Sequence, residues 1–250
     1  MYKNPTKTVL LGNPVIYLPS CHSTNTRAAE IVQKKPVNEG AIFITDHQHS
    51  GRGQRGNQWE SEPYKNYTFS IFLRPSFLNL DSHFYLNIII SMGLVKFLSR
   101  YKDGFEVKWP NDIYYKGKKI AGILIENSIK GNEFQHCIVG VGLNINQKNF
   151  NNESATSLSR IIGRDIDLIL SFEQLLLDLE YYYSLLIEGE FNALLKSYHE
   201  KLMWMNEPHQ FKSSSVFEGV IKGINQSGQL MIESNAELMF FNFKEVEFAK

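Results

Sequence analysis

The sequence predicts an α+β protein with two domains, a larger one over residues 1–207 and a small β-rich one over residues 208–250. In the first part, short segments of period-two alternation, such as 67–73, are separated by longer apolar segments of helical spacing, such as 82–102. Beyond residue 208 the pattern is period-two and rich in turn residues, which predicts a small β-barrel.

The composition limits the partners of this protein. Its 250 residues include 26 Lys and Arg and 26 Asp and Glu, so no net charge attracts nucleic acid or an anionic membrane, and any anion site must be local. The apolar run 88–95 ends at Lys96, well short of a membrane span, and the N-terminus lacks the apolar core of a signal peptide. We therefore expect neither a nucleic-acid partner nor a membrane partner.

The cysteines and histidines indicate the compartment and exclude a common class of metal site. Cys21 and Cys137 are far apart and lack metal-ligand spacing, so we expect reduced thiols in a cytoplasmic protein. The histidines are scattered and form no H-E-x-x-H pattern. We expect no metal ion held by the protein's own side chains.

The first predicted helix begins at a polar cluster. A strand over 15–18 leads into Ser23, Thr24 and Asn25, and the helix that follows ends before Pro36. One face of this helix carries Ala28, Ile31, Val32 and Lys35. The cluster has two explanations: the residue types are those that cap helices, which alone would account for them, or their polar groups bind the polar head of a ligand.

The next segment is a loop that suits an anion. A predicted strand, 41–46, precedes the sequence Gly-Arg-Gly-Gln-Arg-Gly-Asn-Gln-Trp at 51–59. Its glycines let successive N–H groups close around a phosphate, Arg52 and Arg55 offer guanidinium forks, and Trp59 offers a flat face for a base. A solvated surface loop that ends in a core tryptophan is the alternative.

Two better-known phosphate loops do not fit this segment. Its spacing matches the G-x-G-x-x-G dinucleotide fingerprint, but that motif needs a helix to begin at the third glycine, and the predicted strand 67–73 follows instead. No Gly-Lys-Ser/Thr follows, which excludes a Walker A loop. The sequence favours an anion site between two strands.

The middle of the chain combines the core with a second polar turn. The segment 82–102 predicts a long, buried central helix. A strand over 105–108 then ends in Lys-Trp-Pro-Asn-Asp at 108–112, a turn that its proline fixes. The lysine-rich turn 116–119 is typical of a solvated hairpin and could also belong to a site. Two strands, 120–126 and 137–141, follow on either side of a turn at 130–132.

The last part of the larger domain is helical. Ser171, Phe172, Glu173 and Gln174 read as a capping box, and the helix that they open carries a stripe of leucine and tyrosine typical of packing. A second helix is predicted over 191–203.

These motifs give the chain a resemblance to the biotin protein ligases. That family carries a Ser-Thr-Asn stretch, a Gly-Arg-Gly-Arg-Arg-Gly loop, a Lys-Trp-Pro-Asn-Asp segment, a Lys-x-Ala-Gly-Ile strand entry and a Gly-x-Gly-x-Asn strand end. Similar sequences occur here in the same order at 23–25, 51–56, 108–112, 119–123 and 140–144. The resemblance implies a catalytic domain similar to class II aminoacyl-tRNA synthetases, with a mixed sheet backed by helices, and a C-terminal SH3-like β-barrel.

The resemblance also implies a two-step, ATP-dependent reaction. Biotin is activated to biotinyl-5′-AMP and is then transferred to a lysine of a biotin carrier domain, with Mg²⁺ bound through the substrate phosphates. We expect Arg52, Lys119 and Asp112 to be catalytic. The expected biotin-binding residues are Ser23, Thr24, Asn25, Gln48, Gly51, Arg52, Gly53, Gln54, Lys119 and Gly122. The expected adenylate-binding residues are Arg52, Arg55, Trp59, Lys108, Asn111, Lys119 and Asn144.

The sequence departs from the family pattern in two places. Gln54 stands where the family usually has arginine, so one guanidinium near the adenylate is absent, and we expect a leakier intermediate. Relatives that also repress transcription carry an N-terminal helix-turn-helix domain, for which the residues before position 15 are too few. We therefore expect a ligase that does not bind DNA.

Some alternatives stay open at this point. A lipoate or octanoyl ligase or transferase has the same fold, although the glycine loop and the Lys-Trp-Pro-Asn-Asp turn favour biotin. A non-catalytic binding module is a second alternative, which the presence of Arg52 and Lys119 opposes. A homodimer could form through an exposed sheet edge near 139–144.

Overall fold

The fold was analysed in a computed structural model, which describes residues 2–131 and 133–249 and, at position 55, the backbone alone. The predicted α+β class is confirmed, because the chain forms a mixed seven-stranded sheet with helices and a separate five-stranded antiparallel sheet near the C-terminus. The predicted turn at 130–132 includes position 132, which lies outside the described residues.

The seven-stranded sheet has the strand order β1-β2-β3-β7-β6-β5-β4. Its strands are β1 (Val15–Cys21), β2 (Ile42–Gln48), β3 (Tyr67–Leu73), β4 (Phe105–Lys108), β5 (Asp112–Tyr115), β6 (Lys118–Lys130) and β7 (Glu133–Leu143). Strands β1 and β2 are parallel, and every other neighbouring pair is antiparallel. The long central strands β3, β7 and β6 therefore lie side by side.

The helices cover both faces of this sheet. They are α1 (Thr24–Lys34), α2 (Tyr85–Ser99), α3 (Leu158–Ile162), α4 (Leu168–Ile187) and α5 (Phe191–Lys201). Alternate residues of a strand point to opposite faces. Phe43 of β2 accordingly packs in the smaller apolar cluster under α1, whereas Ile42 and Ile44 belong to the main core, which includes α2, α4 and α5.

Helix α2 is the central element of the main core, as its all-apolar sequence predicts. It is shorter than the predicted segment 82–102, because a separate 3₁₀ turn, Leu80–Ser82, precedes it. Gly93 lets α4 approach closely, since a Cβ there would lie 2.7 Å from Leu179 Cδ2. The stretch Leu80–Ser99 is long and apolar enough to cross a membrane by length and composition, but 72% of it is buried inside the protein. Burial, rather than the short length expected from the sequence, is therefore what identifies this helix as core.

The predicted start of helix α4 and its predicted capping box are both wrong. Helix α4 begins at Leu168 and not at Ser171, because the Asp167 carboxylate caps it by accepting hydrogen bonds from the backbone N–H groups of Ile169 and Leu170. Glu173, the expected partner in a capping box, instead accepts hydrogen bonds from Thr6 and Lys7 near the N-terminus.

The predicted sheet edge at 139–144 is also wrong. Strand β7 is a central strand that pairs with β3 on one side and with β6 on the other. The edges of this sheet are β1 and β4. A homodimer stays a prediction, and pairing through β7 cannot form it because the backbone groups of that strand are already used.

The C-terminal sheet has the order β11-β10-β9-β8-β12. Its strands are β8 (Pro208–Lys212), β9 (Val216–Ile224), β10 (Leu230–Ser234), β11 (Glu237–Phe241) and β12 (Glu247–Phe248). The first of them begins where the period-two pattern starts. The main apolar core continues from the larger sheet into this one, with Phe211, Ile221 and Leu230 as members. The division into domains at residue 207 stays a prediction.

Hydrogen bonds also attach the C-terminal sheet to the rest of the chain. Trp109 Nε1 donates to the Gly228 carbonyl at 2.9 Å, and the backbone N–H of Ile224 donates to His199 Nε2 at 2.9 Å. A Cβ at Gly228 would lie 2.1 Å from Phe84 Cγ, so the two parts are in close contact there. Because His199 Nε2 accepts a hydrogen bond, that nitrogen must be unprotonated.

The His199 contact predicts an acid-sensitive attachment. Burial lowers the pKa of His199 below its ordinary value of 6.5. The unfolded chain therefore takes up a proton at a higher pH than the folded protein does, and stability that is fully present above about pH 6.5 is lost as the pH falls through the folded-state value. Chemical denaturation at about pH 7.5 and pH 5.5 should show a smaller loss for His199→Gln than for the parent.

The exposed His83 provides a matched control, and His83→Gln should keep the parent's pH dependence. His136, whose pKa burial also lowers, is present in all of these proteins and contributes equally. An equal loss in the parent and His199→Gln would show that the contact does not carry the effect.

Candidate active site

A cavity of about 470 Å³ opens on the α1 face of the large sheet. It lies where the N-terminus of α1, the end of β2, the glycine loop and the middle of β6 and β7 meet. The residues around it are Ser23, Thr24, Asn25, Gln48, Arg52, Gly53, Gln54, Trp59, Thr68, Asn111, Lys119, Gly122, Ile123, Leu124, Gly140, Val141 and Gly142. The polar cluster, the glycine loop and both later motifs therefore contribute to one cavity.

The polar cluster at the start of α1 serves the cavity rather than the helix cap. Ser23 is the N-cap residue, but its side chain makes no capping hydrogen bond. The Thr24 backbone N–H donates to Gln48 Oε1 at 2.9 Å, which fixes that amide at the end of β2. Capping alone does not account for these residues, since Ser23, Thr24 and Asn25 are all buried and all line the cavity.

Asn25 is held by contacts on three sides. Its Nδ2 donates to the Leu124 carbonyl at 3.1 Å and to Glu126 Oε2 at 2.8 Å, while its Oδ1 accepts from Ser70 Oγ at 2.6 Å. A Cβ at Gly140 would lie 2.4 Å from Asn25 Oδ1. The amide is thus locked on the sheet surface, at a point that only glycine leaves open.

Glycines in the central strands also make room for Trp59. A Cβ at Gly142 would lie 2.2 Å from Trp59 Cε2, and one at Gly122 would lie 3.2 Å from Trp59 Cζ3. The indole therefore lies on the sheet over β7 and β6. The backbone of Trp59 is held in the loop, because its backbone N–H donates to the Gly51 carbonyl at 2.9 Å.

The loop arginine is paired across the cavity mouth. Arg52 Nη2 contacts both carboxylate oxygens of Glu126, at 3.0 Å and 2.8 Å. Both side chains are partly exposed, so this ion pair contributes little to stability. Because both contacts come from one nitrogen, the rest of the guanidinium fork can still turn toward an anion.

The lysine that begins β6 forms the second ion pair of the site. Lys119 Nζ lies 2.7 Å from Asp112 Oδ1 on the neighbouring strand β5, a distance that makes an ion pair although the two groups are not aligned as a hydrogen bond. The backbone of Lys119 is fixed on its other side, since its N–H donates to the Ser154 carbonyl and its carbonyl accepts from the Thr156 N–H. Lys119 Nζ is 5.7 Å from the Trp59 ring centroid.

A larger cleft continues from the cavity toward the C-terminal sheet. It has a volume of about 1310 Å³ and shares Gly53, Gln54, Trp59, Asn111 and Lys119 with the first cavity. Its other walls are Asn57, Gln58, Lys108, Trp109, Pro110, Asp112, Phe243, Lys244, Val246, Glu247 and Phe248. The two spaces together form a channel with the Lys119 and Asp112 pair between them.

The walls of this cleft combine aromatic rings with three lysines and two carboxylates. Lys108 Nζ lies 5.1 Å from the ring centroids of Tyr114 and of Phe248, a residue of the C-terminal sheet. Burial, together with the charge of Asp112, raises the pKa of Tyr114 to about 12, so this phenol stays neutral near pH 7. Asn111 is pinned to β6, because its Nδ2 donates to the Ile123 carbonyl at 2.7 Å.

Comparison with known proteins agrees with this arrangement. Residues 17–144 match the Biotin/lipoate A/B protein ligase family. The chain belongs to this family. It is 28% identical over 236 residues to the bifunctional ligase/repressor BirA of Bacillus subtilis, a match that covers 92% of this chain and 72% of that protein. It is 29% identical over 231 residues to BirA of Escherichia coli, covering 90% and 70% respectively.

A solved structure of the ligase family has the same fold. The biotin protein ligase from Aquifex aeolicus in complex with biotin and ATP superposes with a TM-score of 0.79 at 25% identity, over 94% of this chain and 99% of that one. The family resemblance stated from the motifs is confirmed, and so is the expected class, an α+β fold similar to class II aminoacyl-tRNA synthetases with a C-terminal antiparallel sheet.

Not every residue predicted from the ligase motifs reaches the channel. Asn144 is buried just after β7, where its Nδ2 donates to the Thr156 carbonyl at 3.0 Å, while its Oδ1 has no hydrogen-bond partner among the described residues. Its expected contact to the adenylate stays a prediction. Gly51 lies next to the cavity: a Cβ there would be 2.6 Å from Gln48 Nε2. The side chain of Arg55 lies outside the described residues.

Gln54 and Trp59 each have one side-chain polar atom in the site that makes no hydrogen bond to the described residues. Gln54 Oε1 and Trp59 Nε1 are both buried and, within the part of the chain that the structure describes, have no hydrogen-bond partner. Buried polar groups normally have a hydrogen-bond partner. Because both residues line the cavity, these two atoms are candidates for contacts to a ligand.

The sequence analysis missed three contributors. Glu126 and Ser70 hold Arg52 and Asn25, and Thr68 lines the cavity. All three lie inside strands, where a polar or charged residue is typical of a solvated face. The available signal was alternation: Thr68 and Ser70 share one face of β3 with the buried Phe72, and two hydroxyls on such a face indicate polar contacts.

The glycine surface under Trp59 gives a direct prediction. Gly142→Ala should destabilise the protein by about 1–3 kcal/mol, the usual cost of overpacking, because the new Cβ would lie 2.2 Å from the indole and the ring would have to leave its place on the sheet. Gly122→Ala is the matched control, since its new Cβ would lie 3.2 Å from both Lys119 Cε and Trp59 Cζ3, contacts that a small shift relieves. Chemical denaturation should show the larger loss in Gly142→Ala, and equal losses would contradict this view of the site.

Proposed function

We propose that this protein is an ATP-dependent biotin protein ligase. In the first step, a carboxylate oxygen of biotin attacks the α-phosphorus of ATP, the bond to the β-phosphate breaks, and biotinyl-5′-AMP and pyrophosphate form. In the second step, a lysine amine of a biotin carrier domain attacks the carbonyl carbon of the mixed anhydride. AMP leaves, and the lysine nitrogen loses its proton. Biotin is then joined to the carrier by an amide bond.

One observation carries this proposal: the separate motifs converge on one channel, with polar contacts at one end and cations in the middle. The inner end, at Thr24, Asn25 and Gln48, suits a small polar ring. The outer cleft is the larger of the two spaces and has lysines and aromatic rings in its walls, which suits a nucleotide. The similar Aquifex protein, whose structure contains biotin and ATP, supports these two substrates.

The first step requires two anions to meet. A carboxylate and a polyphosphate repel each other, so cations that are already positioned must neutralise both. Arg52 and Lys119 are the groups that we assign to this task. Arg52 holds the carboxylate or the α-phosphate through its planar fork, and Lys119 acts as a point charge between the two cavities. Both stay close to their carboxylates, Glu126 and Asp112, until the anions arrive.

Trp59 and Asn111 complete the nucleotide side of this proposal. The Trp59 ring borders both cavities and offers a face for the adenine or for the chain of the bound acid. Lys108 in the outer cleft suits the phosphates. Among the described residues no group of three His, Cys, Asp or Glu side chains could hold a metal ion, so Mg²⁺ would be bound through phosphate oxygens and water, where it neutralises charge on the leaving pyrophosphate.

The second step needs a neutral amine. The lysine of the carrier has a reference pKa of about 10.4, so its amine must lose a proton before attack. Asp112 is the carboxylate closest to Lys119, and it faces the outer cleft. We propose that Asp112 orients Lys119 in the first step and influences the incoming amine in the second. We also propose that the acceptor belongs to a biotin-dependent carboxylase and that the reaction takes place in the cytoplasm.

The main alternative is a lipoate or octanoyl ligase or transferase, because the family includes such enzymes by name. The inner end of the cavity argues against it. Thr24, Asn25 and Gln48 are buried polar residues, and the apolar ring or chain of such a substrate offers this polar lining no hydrogen-bonding group. The second alternative is a binding module that binds the same ligands in the same site but does not catalyse the reaction.

Transfer to a carrier domain tests the proposed activity. With ATP, Mg²⁺ and either biotin or lipoate, the parent should label the carrier with biotin alone. Lys119→Ala should reduce the labelling rate by at least about a hundredfold, because removing a positioned cation from a charge-stabilising site costs several kcal/mol. Mass spectrometry of the carrier measures both.

Further variants sharpen this assay. Lys118→Ala, at an exposed neighbouring position outside both cavities, should keep the parent's rate. Asp112→Asn should slow at least one of the two steps, and unchanged rates in both would remove Asp112 from the mechanism. Lipoate labelling by the parent would replace the proposed substrate, and no labelling at all would favour the binding module.

Gln54 generates a separate prediction about the intermediate. Glutamine cannot supply a guanidinium, and its Oε1 is buried without a partner among the described residues, so the adenylate is held by one cation fewer than the family pattern provides. Gln54→Arg should therefore release biotinyl-5′-AMP more slowly, by about tenfold. Rapid filtration after a single turnover measures the release rate. Equal rates in the parent and Gln54→Arg would refute the prediction.

A further inference from the structure

A single carboxylate connects the two ends of the inner cavity. Glu126, near the middle of β6, accepts two contacts from Arg52 Nη2 and one from Asn25 Nδ2, with Oε2 shared at 2.8 Å to each. Asn25 borders the inner, polar end of the cavity, and Arg52 borders its mouth. Glu126 is not part of the motifs that identify the family in this sequence.

We infer that Glu126 is a positioning residue for the first step. It fixes the position of the Arg52 guanidinium relative to the Asn25 amide. This inference rests on the proposed function. Glu126 does not itself line the inner cavity. It borders a third, separate cleft beside His22 and His49, which Arg52 also lines. It therefore acts through the two side chains that it binds.

The geometry favours positioning over a simple surface ion pair. Arg52 comes from a loop rich in glycine, so its side chain has no rigid element of its own to fix it. Glu126 pairs with Ile138 of β7, inside a run of pairs without a register shift from Ala121 to Ser128, which makes it a firm anchor. Both of its contacts to Arg52 use Nη2, and a guanidinium carries five N–H donors, so an anchored Arg52 still offers a fork to an incoming anion.

The contact to Asn25 extends this effect to the other end of the ligand. The Asn25 amide has a set orientation because Ser70 Oγ donates to its Oδ1, and Nδ2 must then point to Glu126 and to the Leu124 carbonyl. Loss of the Glu126 charge would weaken the hold on Nδ2 and on Nη2 together. A ligand that spans the cavity would then meet two side chains whose relative position is no longer fixed.

The test is a double-mutant cycle on the first step, measured as biotin-dependent exchange of pyrophosphate into ATP. Glu126→Gln should lower kcat by about tenfold while the KM for biotin changes by less than about threefold, because the loss concerns orientation in the transition state. In the Arg52→Ala background, Glu126→Gln should cause a clearly smaller fall in kcat, because only its contact to Asn25 is then left to lose. Glu133→Gln, an exposed glutamate on the adjacent strand β7, is the control and should match the parent.

A second measurement does not depend on activity. In NMR, rotation about the Nε–Cζ bond of Arg52 should be slow in the ligand-free parent and in Glu133→Gln, and fast in Glu126→Gln. Arg74 provides an internal reference, because its guanidinium forms no ion pair among the described residues and only its backbone N–H contacts a carboxylate, that of Glu39.

Each outcome decides between the alternatives. A parent without exchange would overturn the proposed function, and the NMR comparison would then decide alone whether Glu126 positions Arg52. An unchanged kcat in Glu126→Gln, or the same fold-decrease in both backgrounds, would overturn the inference, as would equally fast rotation of Arg52 in the parent and the variant.

Discussion

The site depends on the absence of side chains at three positions of the central strands. Gly140 and Gly142 of β7 and Gly122 of β6 leave bare backbone where Asn25, Trp59 and Lys119 lie close to the sheet. A Cβ at any of these positions would meet a neighbour at 3.2 Å or less. Because the strands are paired on both sides, the backbone cannot move away. The cavity, the indole and the polar head contacts all rely on this close approach.

The charges of the site follow a second constraint. The whole chain is balanced, with 26 cationic and 26 anionic residues, so anion binding must come from local geometry. Two cations of the channel each have their own carboxylate, Arg52 with Glu126 and Lys119 with Asp112. Such pairs keep the cations in place and spare the protein the cost of unpaired charges near the core. Incoming carboxylate and phosphate groups then take over part of each cation's contacts.

Much of this arrangement could be predicted from the sequence. Period-two alternation located β3 at its observed bounds, and the turn motifs indicated which loops carry polar groups toward a ligand. The start of α4 could not be found in this way, since Asp167 and Ser171 are both good capping residues and only the packing of Glu173 on the N-terminal segment decides between them. Strand order is likewise a tertiary property, which is why the sequence placed β7 at an edge.

The role of Glu126 was hidden for a similar reason. A carboxylate in a strand is usually solvated, and nothing local indicates that an arginine 74 residues earlier in the chain will contact it. Asn144 shows a different case: it belongs to a recognised motif, yet it lines neither cavity, and the Thr156 carbonyl uses one side of its amide. Motifs thus located the site to within a few residues, and side-chain contacts decided which members face the ligand.

The measurement that tests this account most directly is formation of the adenylate by the isolated protein. The protein would be incubated with biotin, ATP and Mg²⁺ but no acceptor, with lipoate in a parallel sample, and extracted for mass spectrometry. A channel built to join a polar-headed acid to a nucleotide predicts biotinyl-5′-AMP in an amount close to that of the protein, and no lipoyl adenylate. Binding of biotin and ATP without any adenylate would contradict the account, because the cations would then be present but not positioned for the reaction.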